Sequence, residues 1–206
     1  MLRQIALVIS VVFQPLVIPS MVFALIFFSV PEASSIPLDF KNSLFILIVL
    51  ATLLIPLITI IGFRLSGAVK SLHMATMAER YIPFSIICVY FGLTTYFLYT
   101  KVEFDPVVWK SLFVITLTII GLTIVTFFWK MSAHMTGVGG LVAIIIVMGS
   151  FFPTFQELYY LLGAILLSGI VGTSRLYLDA HKPQEIYAGL FYGFFCCYIG
   201  FQFVWA

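Results

Sequence analysis

Residues 107–128 read "VVWKSLFVITLTIIGLTIVTFF", 22 positions with one charge, Lys110, near the start. At about 1.5 Å of rise per residue, a helix of that length covers about 33 Å, enough to cross a hydrocarbon layer about 30 Å thick. The run is one of a series, and the series decides the fold. Apolar runs of spanning or nearly spanning length also occupy 5–30, 44–63, 82–99, 135–152, 158–172 and 186–205. The expected architecture is an all-α polytopic membrane protein, a bundle of six to seven transmembrane helices forming one domain over 1–206, with its active site at one membrane face. The sixth run is short, which suits a helix with little tilt or one buried among its neighbours. Seven spans are expected, or six if short runs merge or one is re-entrant. In the first run Gln14, Pro15 and Pro19 predict a kink.

Composition agrees with this solvent. Of 206 residues, 63% are hydrophobic and 9% charged, whereas soluble domains carry about 25% charged residues. A chain this poor in ions has too little polar surface to face water all round. The formal net charge of +2 gives no reason to expect nucleic acid as a partner. Cys88, Cys196 and Cys197 lie inside apolar runs without metal-ligand or C-x-x-C spacing, so they read as small buried hydrophobes. The first run is too long for a signal-peptide core, and no small-residue cleavage site closes it, so it is expected to remain as a helix.

Outward from 107–128, polar joints separate the runs and alternate between the two sides of the bilayer. The joints at 64–80, 129–134 and 173–185 share the side of the N-terminus, and they contain all three histidines, His73, His134 and His181. The opposite side receives a short, mostly acidic set, with Glu32, Asp39, Glu103, Asp105 and Glu157 against Lys41, Lys101 and Lys110.

The joint that follows the sixth run reads "SRLYLDAHKPQEIYAG", residues 174–189. Arg175, His181 and Glu185 put a cation, an imidazole and a carboxylate between one helix end and the next helix start. Pro183 suits the first turn of that helix, and Glu185 falls in the same turn. A carboxylate there can hold one ring nitrogen of His181 and leave the other free, the arrangement of an activated nucleophile. The plain alternative is interfacial anchoring, and for Lys182 and Asp179 that is the reading adopted. In "WKMSAHMTGVGG", residues 129–140, Lys130, Ser132 and His134 precede a helix start, a natural anion site, and His134 is placed to donate a proton to a departing oxygen. Gly137, Gly139 and Gly140 read as close-packing positions. The joint at 64–80 adds Arg64, Lys70, His73 and Arg80, either further charge-assisted donors for a phosphate ester or simple anchors.

Residues 174–189 resemble the third signature of the type 2 phosphatidic acid phosphatase superfamily, S-R-x5-H-x3-D, and "MSAHMTG" is similar to its second, P-S-G-H. The first signature, K-x6-R-P, is matched loosely by Lys70, Arg80 and Pro83. The resemblance runs from about Lys70 to the C-terminus. It implies a metal-independent, cofactor-free phosphatase acting on lipid phosphates at the membrane surface through a phosphohistidine. Carried over residue by residue, His181 is the nucleophile, Glu185 its orienter and His134 the acid. Arg175, Ser132 and Arg80 bind phosphate, with Lys130 and Lys70 as further candidates. Candidate substrates are polyprenyl diphosphate, phosphatidylglycerol phosphate and phosphatidic acid.

Three departures are evident. Glu185 stands where the family has Asp, Ala133 where it has Gly, and two helices rather than three precede the first signature. An apolar hairpin over 82–128 also separates the first two. The chain looks like a divergent bacterial-type branch, a multi-pass protein of the inner (plasma) membrane.

The rival reading is a non-catalytic lipid-head-group binder, transporter or structural subunit on the same scaffold. A binder needs cations but not two histidines and a carboxylate, and the mid-helix positions lack the charges a transporter buries. Orientation stays open. The N-terminal face holds Arg3, Arg64, Lys70, Arg80, Lys130, Arg175 and Lys182 against Lys41, Lys101 and Lys110, which points it to the cytoplasm. Without Arg80, Lys130 and Arg175 the counts are four against three, and the resemblance implies an extracytoplasmic site.

Overall fold

The computed structural model describes residues 1–67, 78–101 and 105–206, and among them every regular element is helical. Lys70 and His73 lie outside the described residues. Seven helical spans are long and apolar enough to cross a bilayer: Leu2–Ser29, Leu38–Leu65, Glu79–Lys101, Pro106–Thr126, Ala133–Phe151, Glu157–Tyr177 and Pro183–Trp205. The protein is an all-α polytopic bundle, and the expected six to seven spans resolve to seven.

The first span is broken rather than merely kinked. Helix α1 (Leu2–Val12) stops, a 3-10 turn covers Pro15–Val17, and α2 (Ile18–Ala24) continues into a wider π turn over Leu25–Ser29. Pro15 explains the break. It pushes the residue before it out of the helical region, and Gln14 is extended at φ −63°, ψ 152°. In the second span, α3 (Leu38–Val49) passes through a π turn at Leu50–Leu54 into α4 (Ile55–Leu65). Pro56 cannot donate to the carbonyl four residues earlier, and the wider turn just before it absorbs the fault.

Helices α5 (Ala78–Lys101) and α6 (Pro106–Thr126) form the apolar hairpin. Helix α7 (Ala133–Phe151) is the best-buried span and packs on α8 (Glu157–Tyr177) and most extensively on α9 (Pro183–Trp205). Glycines on both helices set this contact. A methyl added at Gly193 of α9 would overlap the Thr136 carbonyl, one at Gly139 of α7 the Leu190 carbonyl, and one at Gly189 would sit 2.6 Å from the Ser132 carbonyl oxygen. Gly139 accords with its sequence reading. Gly189 and Gly193 form a G-x-x-x-G pair, a second close-packing signal on α9.

Two expectations need correction. The sixth span is neither short nor buried among its neighbours. It has 21 residues, and most of its surface is exposed. Polar residues after Gly172 suggest an end there, but the Ser174 hydroxyl donates to the Ile170 carbonyl at 2.8 Å and keeps its place inside the helix. Ser174 and Arg175 are therefore in the last turns of α8, not in a joint. Likewise Arg64 and Arg80 belong to α4 and α5.

The face opposite His134 and His181 is tied by Asp105. Its carboxylate accepts from Val107 N–H at 2.8 Å, capping α6, and from the Ser34 hydroxyl at 2.6 Å and Ser35 N–H at 2.8 Å.

Candidate active site

The six residues after Ser174 are a helix stop. Ala180 N–H donates to the Arg175 carbonyl at 3.1 Å and Asp179 N–H to the Leu176 carbonyl at 2.9 Å. With Asp179 at φ 52°, this is the paired-bond ending of a Schellman motif, and aspartate is among the few residues that adopt a left-handed backbone readily. The chain thus reverses between Arg175 and His181. Lys182 is then extended at φ −79°, ψ 155° because Pro183 follows, and Pro183 opens α9. Glu185 sits in that first turn, where one oxygen, Oε2, accepts from Lys182 N–H at 3.2 Å and from Nδ1–H of His181 at 2.7 Å.

The other ring nitrogen of His181 faces a cation. Arg80 donates from Nη2 to His181 Nε2 at 3.3 Å and from Nη1 to the Met131 carbonyl at 3.1 Å. A guanidinium has no acceptor, so Nε2 must present its lone pair. The tautomer follows: the proton is on Nδ1, held by Glu185. Burial first, then Arg80, Arg175 and Lys130, push the His181 pKa from 6.5 down to about 3, so the imidazole is neutral near pH 7.

The second histidine comes from the start of α7. Ser132 is fully buried and caps that helix, its oxygen accepting from Met135 N–H at 3.5 Å. Ser132 N–H donates to the Glu185 carbonyl at 3.1 Å, which joins the two joints directly. His134 donates from Nε2 to the Ser10 carbonyl at 3.0 Å. The Ser10 hydroxyl accepts from Arg175 Nη1 at 3.2 Å. Arg175 is buried, and its Nε has no hydrogen-bond partner. A buried donor left unmatched costs free energy, and an anion would relieve that cost.

Arg80, His134, Arg175 and His181 line one cavity of about 530 Å3. Away from them its wall turns apolar, with Val22, Phe84, Ile119 and Phe201. Phe201 is 18 residues beyond Pro183 on α9, about 27 Å along the helix at 1.5 Å per residue. The cavity is polar at one membrane face and hydrocarbon-like in depth.

Of the residues singled out from sequence, His181, Glu185, Arg80, Arg175 and His134 come together here. Lys130 is partly buried beside them, and its pKa is lowered by burial, then by Arg80, with Glu185 opposing. Ser132 serves as a helix cap. Ser10 and the Met131 carbonyl escaped sequence reasoning. A serine in an apolar helix carries no signal, and main-chain groups carry none at all. Among the described residues no group of three or more His, Cys, Asp or Glu side chains has the geometry to hold a metal ion. Comparison with family models, curated proteins and solved structures finds no match to the chain.

Proposed function

We propose that the protein is an integral-membrane lipid-phosphate phosphatase that works through a phosphohistidine on His181. The observation that carries the reading is the relay Glu185–His181–Arg80, in which Nδ1–H is held at 2.7 Å and a lone pair on Nε2 faces a guanidinium at 3.3 Å. A bound phosphate monoester would take the place between Nε2 and the cations, with Arg80 and Arg175 on its oxygens and the unpartnered Nε of Arg175 as one donor. In the first step the Nε2 lone pair forms a bond to phosphorus as the bond from phosphorus to the ester oxygen breaks. A monoester bound as its monoanion first passes its proton to Nδ1 of His134; the ester oxygen takes that proton back and leaves as an alcohol. Glu185 stabilises the positive charge on the phosphorylated ring through Nδ1–H. In the second step water attacks phosphorus, His134 takes its proton on Nδ1, and the bond to Nε2 breaks, returning His181 neutral; His134 then passes the proton to the departing phosphate and is neutral again. Lys130 adds positive charge nearby, and Ser132 keeps the start of α7 in place.

The apolar depth of the cavity supports a substrate with a long hydrocarbon tail, such as a polyprenyl or glycerolipid phosphate. The likeness of residues 174–189 to the phosphatidic acid phosphatase signature supports the same chemistry and carries the proposed location, a bacterial plasma membrane. The test is phosphate release from lipid phosphates by purified protein in the presence of a metal chelator. Wild type and Lys182→Ala are expected to be active and His181→Ala inert. Equal losses in the two variants would overturn the reading, and tight lipid binding without turnover would favour the head-group binder instead.

A further inference from the structure

The break in the first span has a use. An α-helix leaves its last four carbonyls without intrahelical donors. Phe13 N–H still reaches the Ile9 carbonyl at 2.9 Å, but Phe13 itself leaves the helix at φ −100°, ψ 38°, ahead of the extended Gln14 and Pro15, and this turns the Gln14 N–H away from the next carbonyl, that of Ser10. That freed carbonyl is the acceptor for His134 Nε2–H at 3.0 Å, and the hydroxyl of the same residue accepts from Arg175 at 3.2 Å. Ser10 is itself buried. Two groups of one residue on α1 thus hold an imidazole from α7 and a guanidinium from α8, on the wall of the same cavity.

We infer that Ser10 is a positioning residue of the site, and that the Pro15 break exists to free its carbonyl. The carbonyl fixes His134 with a proton on Nε2, so the proton that moves to and from the substrate is carried on Nδ1. The hydroxyl braces Arg175 at Nη1 and leaves its Nε as the open donor. The catalytic consequence rests on the phosphatase reading above, but the tautomer does not.

The first measurement needs no turnover: ring nitrogen shifts of 15N-histidine-labelled protein in detergent micelles. His134 of the wild type is expected to be protonated on Nε2. In Pro15→Ala, Phe13 and Gln14 are free to become helical and bring the Gln14 N–H to the Ser10 carbonyl, so the His134 signal should shift toward a mixture of tautomers. A wild-type ring protonated on Nδ1, or one indifferent to Pro15→Ala, overturns the inference.

The second measurement compares two esters. Pro15→Ala should lose about a hundredfold on an alkyl phosphate, whose alkoxide must be protonated to leave. It should lose little on p-nitrophenyl phosphate, whose phenolate departs without a proton. His134→Ala should show the same split, and the double variant should be no worse than His134→Ala alone. Equal losses on both esters, additive with His134→Ala, would mean general damage and sink the positioning role. A wild type inert to both esters, but with the expected tautomer, would overturn the phosphatase reading and leave the placement of His134 standing. Ser10→Ala, which removes only the hydroxyl, should raise KM for both esters with the leaving-group split absent, because Arg175 and not His134 loses its partner.

Discussion

Glu185 serves two donors with one oxygen, and that sharing makes its substitutions informative. Oε2 reaches both Lys182 N–H at 3.2 Å and His181 Nδ1 at 2.7 Å. Glu185→Gln keeps the length and an acceptor but loses the charge that would stabilise a phosphorylated ring, so turnover should fall about a hundredfold with the fold intact. In Glu185→Asp the carboxylate still caps α9 well, yet it is one methylene shorter and cannot meet both donors. A misplacement of about 1 Å can also cost about a hundredfold. Phosphate release and melting temperature, measured together on both variants, check this; an active Asp variant would reduce Glu185 to a helix cap. The ring it holds makes a second prediction. Burial first, then Arg80, Arg175 and Lys130, push the pKa of the folded His181 from 6.5 down to about 3. Between those values the unfolded chain binds a proton that the folded chain refuses. Acidification through that window must therefore favour unfolding, and this part of the stability is fully present only above pH 6.5. The Hε1 resonance of His181 should stay unshifted at pH 5, and the melting temperature in detergent should fall less steeply with acid in His181→Ala. A ring that titrates near pH 6.5 would refute the buried, cation-crowded setting.

At the scale of elements, the crossing of α7 on α9 brings the two histidine-bearing joints together, and its glycines carry it. A methyl at Gly193 would meet main chain, the Thr136 carbonyl, rather than a side chain able to turn away. Gly193→Ala should therefore cost about 1–3 kcal/mol, the range for overpacking a closed contact. Because the same crossing aligns Ser132 N–H with the Glu185 carbonyl, it should lower turnover as well. Gly163→Ala on α8, with open space around it, is the control, and a pair of indistinguishable melting curves would show the crossing to be loose. Elements of this kind divide what was legible from what was not. The spans could be read because length and hydropathy are local properties, and the shared face followed from counting them. The end of α8 was misread because a polar residue inside a helix looks, in sequence, like a joint. Ser174 hides its hydroxyl in a bond to its own helix, and Arg175 turns into the bundle. The gathering of Arg80, Arg175, His134, His181 and Glu185 was expected from three joints on one face. The part played by Ser10 was not, because it depends on a carbonyl freed by Pro15 and on α1 returning beside α7 and α8.

At the scale of the whole molecule, seven spans put the two termini on opposite sides of the bilayer, so tags at Met1 and Ala206 should report opposite compartments. The bundle also encloses a cavity that begins at His134 and His181 and runs between the early and late helices toward Phe201. If that space takes the tail of the substrate while the cations take its phosphate, head and tail can be separated by mutation. Ile119 on α6 lines the cavity and is only partly buried, so a larger side chain there has room to turn inward without rebuilding the core. Ile119→Trp should raise KM for a long-chain lipid phosphate about tenfold or more, since each misfitting methylene in an apolar pocket is worth roughly 1–3 kcal/mol. The same variant should hydrolyse a short-chain, water-soluble phosphate at the wild-type rate, because Ile119 contributes no polar group to the reacting end. A loss of kcat on both substrates would mean that the tryptophan disturbs the histidines. No loss on either would mean that the tail stays in the surrounding lipid and that the depth of the cavity plays no part in recognition.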